Sequence, residues 1–309
     1  MPSPLPSPTP GPRPPAVRAL RFPENPLIRP GLAGLESTNL NGPSLIRVPA
    51  WVAAPLGRYY LYFSDHHGRL IQLAYADELR GPWRLQAGGV LRLEQTAAQD
   101  HLASPDVHVN ETRREIVMYF HGPCAGGPWS QVSYAATSGD GLHFIARREV
   151  LGPFYFRVFA HEGWYYAVAK DANEGGLLLC ARDPLAPFEV GPKFVPRMRH
   201  AAVLVRDLTL WLFFSRMGDQ PEQILVSRMD LRRDWREWEA AMSPPETVLA
   251  PQEGYEGAFL PLTRSAPGAS PRPERALRDP AILVEQGRVF LFYAVAGEQG
   301  LAGAELSFV

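Results

Sequence analysis

The chain has 309 residues, 46% of them hydrophobic, and a formal net charge of -1 with acids and bases nearly matched. That length buries a large core, and the balanced charge excludes a global field that would attract nucleic acid or an anionic membrane, so the expected ligand is small or neutral. Cys124 and Cys180 stand far apart with neither a CxxC nor a Cys–His spacing, which indicates neither zinc nor a disulfide framework.

The chain opens on "MPSPLPSPTPGPRPPAVRAL". Proline alternating with serine, threonine and glycine gives an extended, donor-poor segment, read as a flexible tail over residues 1–21 with the folded domain at 22–309. It contains no apolar stretch like a signal-peptide core, and no later run is long enough to span a bilayer, so a cytoplasmic location is expected.

One pattern then recurs. An apolar run, a short turn, a run rich in Tyr, Phe and Trp, a polar loop and a third β-like run appear as "PSLIRVP…GRYYLYFSDHHGRLIQLAYAD" and "PDVHVNETRREIVMYFHGP…SQVSYAAT". They return as "FRVFAHEGWYYAVAKDANEGGLLLCARD", "HAAVLVRDLTLWLFFSRMGDQPEQILVSRMD" and "DPAILVEQGRVFLFYAVAGEQGLAGAEL". Aromatic and β-branched residues at period two, broken by Gly, Asp and Asn turns, predict strands. Their repetition predicts a radial array of small antiparallel sheets, an all-β fold. "ADELRGPWR", "TSGDGLHF" and "ARDPLAPFEV" suit outer strands of the first three units, and "DLRRDWREWEA" suits a helical turn.

The blade pattern, with "SPDVHV" at 104–109 and "RDP" at 278–280, resembles the five-bladed β-propeller glycoside hydrolases: the arabinanase and β-xylosidase group and the related invertase and levansucrase clan. The resemblance covers residues 22 to 309 and implies a glycosidase acting in the axial pocket of a five-bladed propeller.

Propeller geometry supplies the site. The first strand of each blade lines the channel and the second returns antiparallel, so the start of one and the end of the other share a face. Asn41 with Ser44, Asp106, Arg157, His200 and Asp279 open the inner strands; Asp65, His66, His67, His121, Lys170, Asp171, Arg216 and Glu298 end the second strands. So many ionisable groups would seal a core poorly, and they suit a wet pocket. Taken singly, Asp106 and Asp279 also read as ordinary turn residues beside proline.

Glycosidic cleavage usually needs one protonated and one ionised carboxyl. The resemblance implies that Asp106 is a tuning aspartate, but the first blade has "NGPS" (Asn41 to Ser44) where the family has "DP". Asp279 is then the expected base or stabiliser and Glu256 in "GYEGAFLPL" the acid, with Glu253 as the alternative. Asn41, Asp65, His66, His67, His121, Arg157, Lys170, His200, Arg216 and Arg278 are expected to bind substrate. Arg278 and Arg157 would pair with the candidate catalytic carboxylates or suit an anionic group such as a uronate or sulfate, and Trp129 and Tyr255 are candidate sugar platforms. No metal or other cofactor is expected, and the expected partner of a monomer is an oligosaccharide or glycoside. A carbohydrate-binding protein without turnover, or a phosphorylase or transferase, remains open on the same fold.

Overall fold

In the computed structural model, which describes residues 16–308, each aromatic-rich repeat forms one antiparallel sheet, five in all. The inner strands are Asn41–Arg47, Ala103–Asn110, Arg157–His161, Met198–Arg206 and Arg278–Glu285. Each pairs with the strand after it: Tyr59–Ser64, Glu115–Pro123, Trp164–Asp171, Thr209–Arg216 and Arg288–Ala294. The short "DLRRDWREWEA" segment holds 3-10 turns at Trp235–Glu237 and Glu239–Ala241. No helix among the described residues is long and apolar enough to cross a membrane.

The second strands explain the closure. Tyr59–Ser64 is buried at every position, because each blade lies between two others and hides both faces. Tyr60 and Tyr62 meet Ile116, Met118 and Phe144 of blade two, while Leu61 and Phe63 meet Phe290 and Phe292 of blade five. Three further clusters join blades two to three, three to four and four to five. Five interfaces for five blades close the ring, and it is a five-bladed propeller as the repeat predicts.

The ring is fastened by a segment that the sequence reading placed in the tail. Val17–Arg21 pairs with Leu301–Phe308, from Val17 opposite Phe308 to Arg21 opposite Ala304, and is the outer strand of blade five. The domain therefore begins before residue 22. "VRALR" is short and follows the proline run directly, so its own pattern is weak; its stability comes from an edge some 280 residues away. The rest of the expected tail, residues 1–15, lies outside the described residues.

A shared irregularity sets the side chains at the channel mouth. The register slips between Asn41 and Ser44, Ala103 and Asp106, and Arg278 and Ala281. Aligned on their second-strand partners, the blade openings are "NGPS", "ASPD", "FYFR", "RHAA" and "RDPA". The second place of the quartet is Gly42, Ser104, Tyr155, His200 and Asp279, and four of these five have positive φ: 57°, 48°, 68° and 49° for Gly42, Ser104, Tyr155 and Asp279. Such backbone is costly away from glycine and turns the side chain inward. Asp279 holds this second place whereas Asp106 holds the fourth, so the two proline-flanked aspartates are not equivalent.

Candidate active site

A cavity of about 230 Å³ opens where the inner strands begin, as the geometry of the repeat predicts. Blade one contributes Asn41, His66 and His67; blade two His101, Ser104 and His121; blade three Phe154, Tyr155 and Lys170; blade four Arg199 and His200. Among the described residues no Asp or Glu lines it.

The wall nitrogens differ in what they are free to do. Arg199 is committed: its Nε lies 2.8 Å from Glu222 Oε1, and its terminal nitrogens donate to the carbonyls of Gly268 and Ala266. Lys170, 7% exposed, forms no ion pair among the described residues and stands over the Phe154 ring, 5.0 Å from its centroid. Burial and the nearby Arg199 charge pull its ammonium down to about 8 despite Asp279 and Glu222. His121 and His200 are pushed well below the usual imidazole range, first by burial and then by surrounding cations, Lys170 among them in both cases. Both rings are therefore neutral near pH 7. In each only Nδ1 is a sealed, unpartnered atom, and Nε2 is the nitrogen left to the cavity.

Directly beneath lies Asp279, with no exposed surface and, among the described residues, no hydrogen bond to either carboxylate oxygen. Its Oδ1 is 3.0 Å from His200 Nδ1, close but not aligned as a hydrogen bond. Burial and the Glu298 charge raise Asp279 to about 7, against the opposing charges of Arg157, Arg278 and Arg199. The acids around it are neutralised instead. Glu222 holds both Arg199 and Arg278, at 2.8 and 2.9 Å. Glu298 accepts from Asn39 Nδ2 at 2.6 Å and the Ser270 amide at 3.1 Å; although burial opposes its ionisation, His66 and Arg278 help hold it down to about 2.

Several expected site residues prove to be committed elsewhere. Glu256, the expected acid, has no exposed surface and does not reach the cavity. Its carboxylate receives Arg21 Nε at 2.8 Å and NH2 at 2.9 Å, the Tyr293 hydroxyl at 3.0 Å and the amides of Gln252 and Glu253. With every lone pair engaged, it fastens the closing strand and has no free oxygen for a leaving group. Asp106, the expected tuning aspartate, lies off the cavity wall as well. Its Oδ2 accepts from the Val158 amide at 2.8 Å and faces His108 Nε2 at 2.8 Å, which ties blade two to blade three. Although burial opposes it, the His108 charge and hydrogen bond keep Asp106 ionised below the usual range.

Four of the expected substrate-binding residues also lie off the wall. Arg157 is 3% exposed and donates to the carbonyls of Ala201, Ser104 and Phe156. Arg278 is enclosed by Glu222, Glu274 and Glu298. Arg216 pairs with Asp219 at 3.2 Å, and Asp65 accepts from Ser37 and the His67 amide. Asn41, His66, His67, His121, Lys170 and His200 do line the cavity. Tyr255 accepts from Asn25 and Trp129 packs on the core between blades one and two.

His101, Tyr155 and Arg199 are wall residues that the sequence reading passed over. Tyr155 and Arg199 occupy the second and first places of their quartets, so aligning the blade openings would have found both. His101 precedes its blade and carries no such signal. It also belongs to the three-ligand cluster available to a cation among the described residues, with His67 and Asp100, whose ligand atoms lie within 4.8 Å of one another.

No family model matches the chain. An uncharacterized protein of Acanthamoeba polyphaga mimivirus is 34% identical over 325 aligned positions, covering 93% of this chain and 90% of the viral protein, and the chain belongs to the same family as that protein. Among solved structures, it is similar to a family-43 β-xylosidase/α-arabinofuranosidase from a compost metagenome, in complex with xylotriose: TM-score 0.59, 14% identity, 94% of each chain covered. A glycosyl hydrolase from Bacteroides ovatus gives a TM-score of 0.65 at 10% identity over 93% of this chain and 92% of that one. An exo-1,5-α-L-arabinanase from a bovine ruminal metagenomic library gives 0.58 at 10% identity, covering 88% and 94%. At these identities what is shared is the fold: this is the five-bladed propeller of the family-43 glycoside hydrolases.

Proposed function

We propose that the axial cavity is a sugar-binding active site and that the protein acts on glycosidic bonds there, with the Asp279–His200 pair as its proton source. The observation that carries this reading is the carboxyl of Asp279, raised to about 7 and 3.0 Å from an imidazole whose other nitrogen faces the cavity. Below about pH 7 Asp279 holds a proton. Once a small rotation aligns the 3.0 Å contact as a hydrogen bond, Asp279 can pass that proton to His200 Nδ1 as Nε2 gives its own to a departing sugar oxygen, and this is general acid catalysis at the pH where it is most effective. Asp279 is thus assigned to holding and supplying the proton, where the sequence reading made it a base or stabiliser. It acts through His200 and is a positioning residue.

The remaining walls suit a sugar. Asn41, His66 and His67 offer hydrogen-bonding groups along one side, while Phe154 and Tyr155 offer ring surface on the other. Solved propellers of this fold support the reading, since one of them holds xylotriose. The absence of an acid from the wall separates it from a mechanism run by two carboxylates facing the bond.

The test is a panel of oligosaccharides and aryl glycosides incubated with the protein, with products followed by chromatography. Release of a sugar, with a rate that falls as pH rises through about 7, supports the reading. Saturable sugar binding with no product from any substrate would contradict it and favour a carbohydrate-binding protein.

A further inference from the structure

Two of the buried cations around the cavity have no ion-pair partner among the described residues. Four buried cations, Lys170, Arg157, Arg199 and Arg278, surround its floor. Glu222 answers Arg199, and Glu222, Glu274 and Glu298 answer Arg278. Among the described residues Arg157 and Lys170 form no ion pair: Arg157 donates to carbonyls and lies over the Tyr155 ring, and Lys170 lies over Phe154, with Asp279 and Glu222 acting on it only from a distance. A buried ammonium without an anion at contact distance is unfavourable in a medium of low polarity. A neutral sugar hydroxyl does not remove that cost, whereas an oxyanion does. The same wall presents His121 Nε2, a neutral donor placed to help coordinate a tetrahedral anion.

Resting on the glycosidic reading above, we propose that Lys170 and His121 form a seat for phosphate, either free or carried on the anomeric carbon of a sugar, while His200 is kept for the departing oxygen. The bond exchanged in this cavity is then that between the anomeric carbon and phosphate. A phosphate oxygen bonds to the anomeric carbon as the bond from that carbon to the departing sugar oxygen breaks. The electron pair goes to the departing oxygen, which takes a proton from His200 Nε2. The proton lost by dihydrogen phosphate returns to His200 Nε2, and Nδ1 hands its own back to Asp279, so glycoside and dihydrogen phosphate become glycosyl phosphate and free alcohol. The reverse reaction transfers the glycosyl group from its phosphate to a sugar hydroxyl. In both directions the anion takes the place of the second carboxylate that the wall lacks.

The experiment titrates the full chain with inorganic phosphate and, separately, with pentose and hexose 1-phosphates by calorimetry, for the wild type, Lys170→Met and His121→Gln. Products from oligosaccharides with and without phosphate are read by ³¹P NMR. Saturable binding of either ligand, weakened about tenfold or more in Lys170→Met and less in His121→Gln, is expected, with glycosyl phosphate as the product; the arm that binds identifies the source of the anion. No saturable binding of any of these ligands, or binding unchanged in both variants, overturns the seat. If sugar is still released at a phosphate-independent rate in that case, the glycosidic reading survives without it. Lys170-dependent phosphate binding with no turnover of any sugar would keep the seat and remove the glycosidic reading.

Discussion

His200 Nδ1 stands 3.0 Å from Asp279 Oδ1 at the floor of the axial cavity, and the carboxyl has no other polar partner among the described residues. An aspartate left this way is a burden on the fold that a merely structural residue would not carry. The sign follows from linkage. Below the ordinary aspartate pKa both folded and unfolded chains hold the proton, and as pH rises to about 7 only the unfolded chain releases it, so stability is lost across that window.

Asp279→Asn removes the titration while keeping the shape. Its melting temperature relative to wild type is expected to rise between pH 5 and pH 8, by the equivalent of about 2–3 kcal/mol at most. Parallel melting curves at the two pH values check this, and a constant difference would show that Asp279 does not titrate near neutrality.

Lys170 behaves in the opposite sense. Its ammonium is held down to about 8, so below that pH the folded chain carries a charge it disfavours, and the deficit fades as pH rises toward the ordinary lysine value. Lys170→Met is expected to be more stable than wild type at pH 7, by up to about 3 kcal/mol, and to lose that advantage near pH 10.5. Thermal melts across this range provide the measurement. A variant less stable at pH 7 would mean that Lys170 serves the fold and not a ligand.

The closing strand gives a prediction of stability alone. Arg21 and Glu256 are joined by two contacts of 2.8 and 2.9 Å across 235 positions of sequence, with Glu256 fully buried. Glu256→Gln leaves that arginine without its carboxylate and is expected to cost about 3 kcal/mol or more. Removal of residues 1–21 should cost at least as much because it also strips the outer strand of blade five. Both are read by urea denaturation, and a truncated chain with an unchanged midpoint would refute the role of the strand.

The propeller was legible because aromatic strands at period two, such as "YYLYFS", recur five times with turns between them. Part of the site was legible for the same reason, since His66, His121, Lys170 and His200 follow from the channel end of each blade. What escaped depends on register and on distance along the chain. "SPD" and "RDP" look alike, yet the slip in the inner strands puts Asp279 at the axis and Asp106 against blade three. Gly42 holds the place of Asp279 in blade one. A side chain there would come within 2.7 Å of the Ser104 backbone, so steric fit explains why "NGPS" carries no acid. Glu256 reads as a free loop carboxylate until Arg21 folds back onto it, and no local pattern announces a partner at that separation.

The claim that joins these observations is that Asp279 supplies the proton for chemistry at an anomeric carbon. Its most direct test is the pH–rate profile of glycosidic turnover for wild type, Asp279→Asn and Glu256→Gln, with rates normalised to folded protein. The account predicts a wild-type rate that falls above about pH 7, a loss of about 10²-fold or more in Asp279→Asn with that limb abolished, and an unchanged profile in Glu256→Gln. Full activity in Asp279→Asn, or a loss confined to Glu256→Gln, would contradict it.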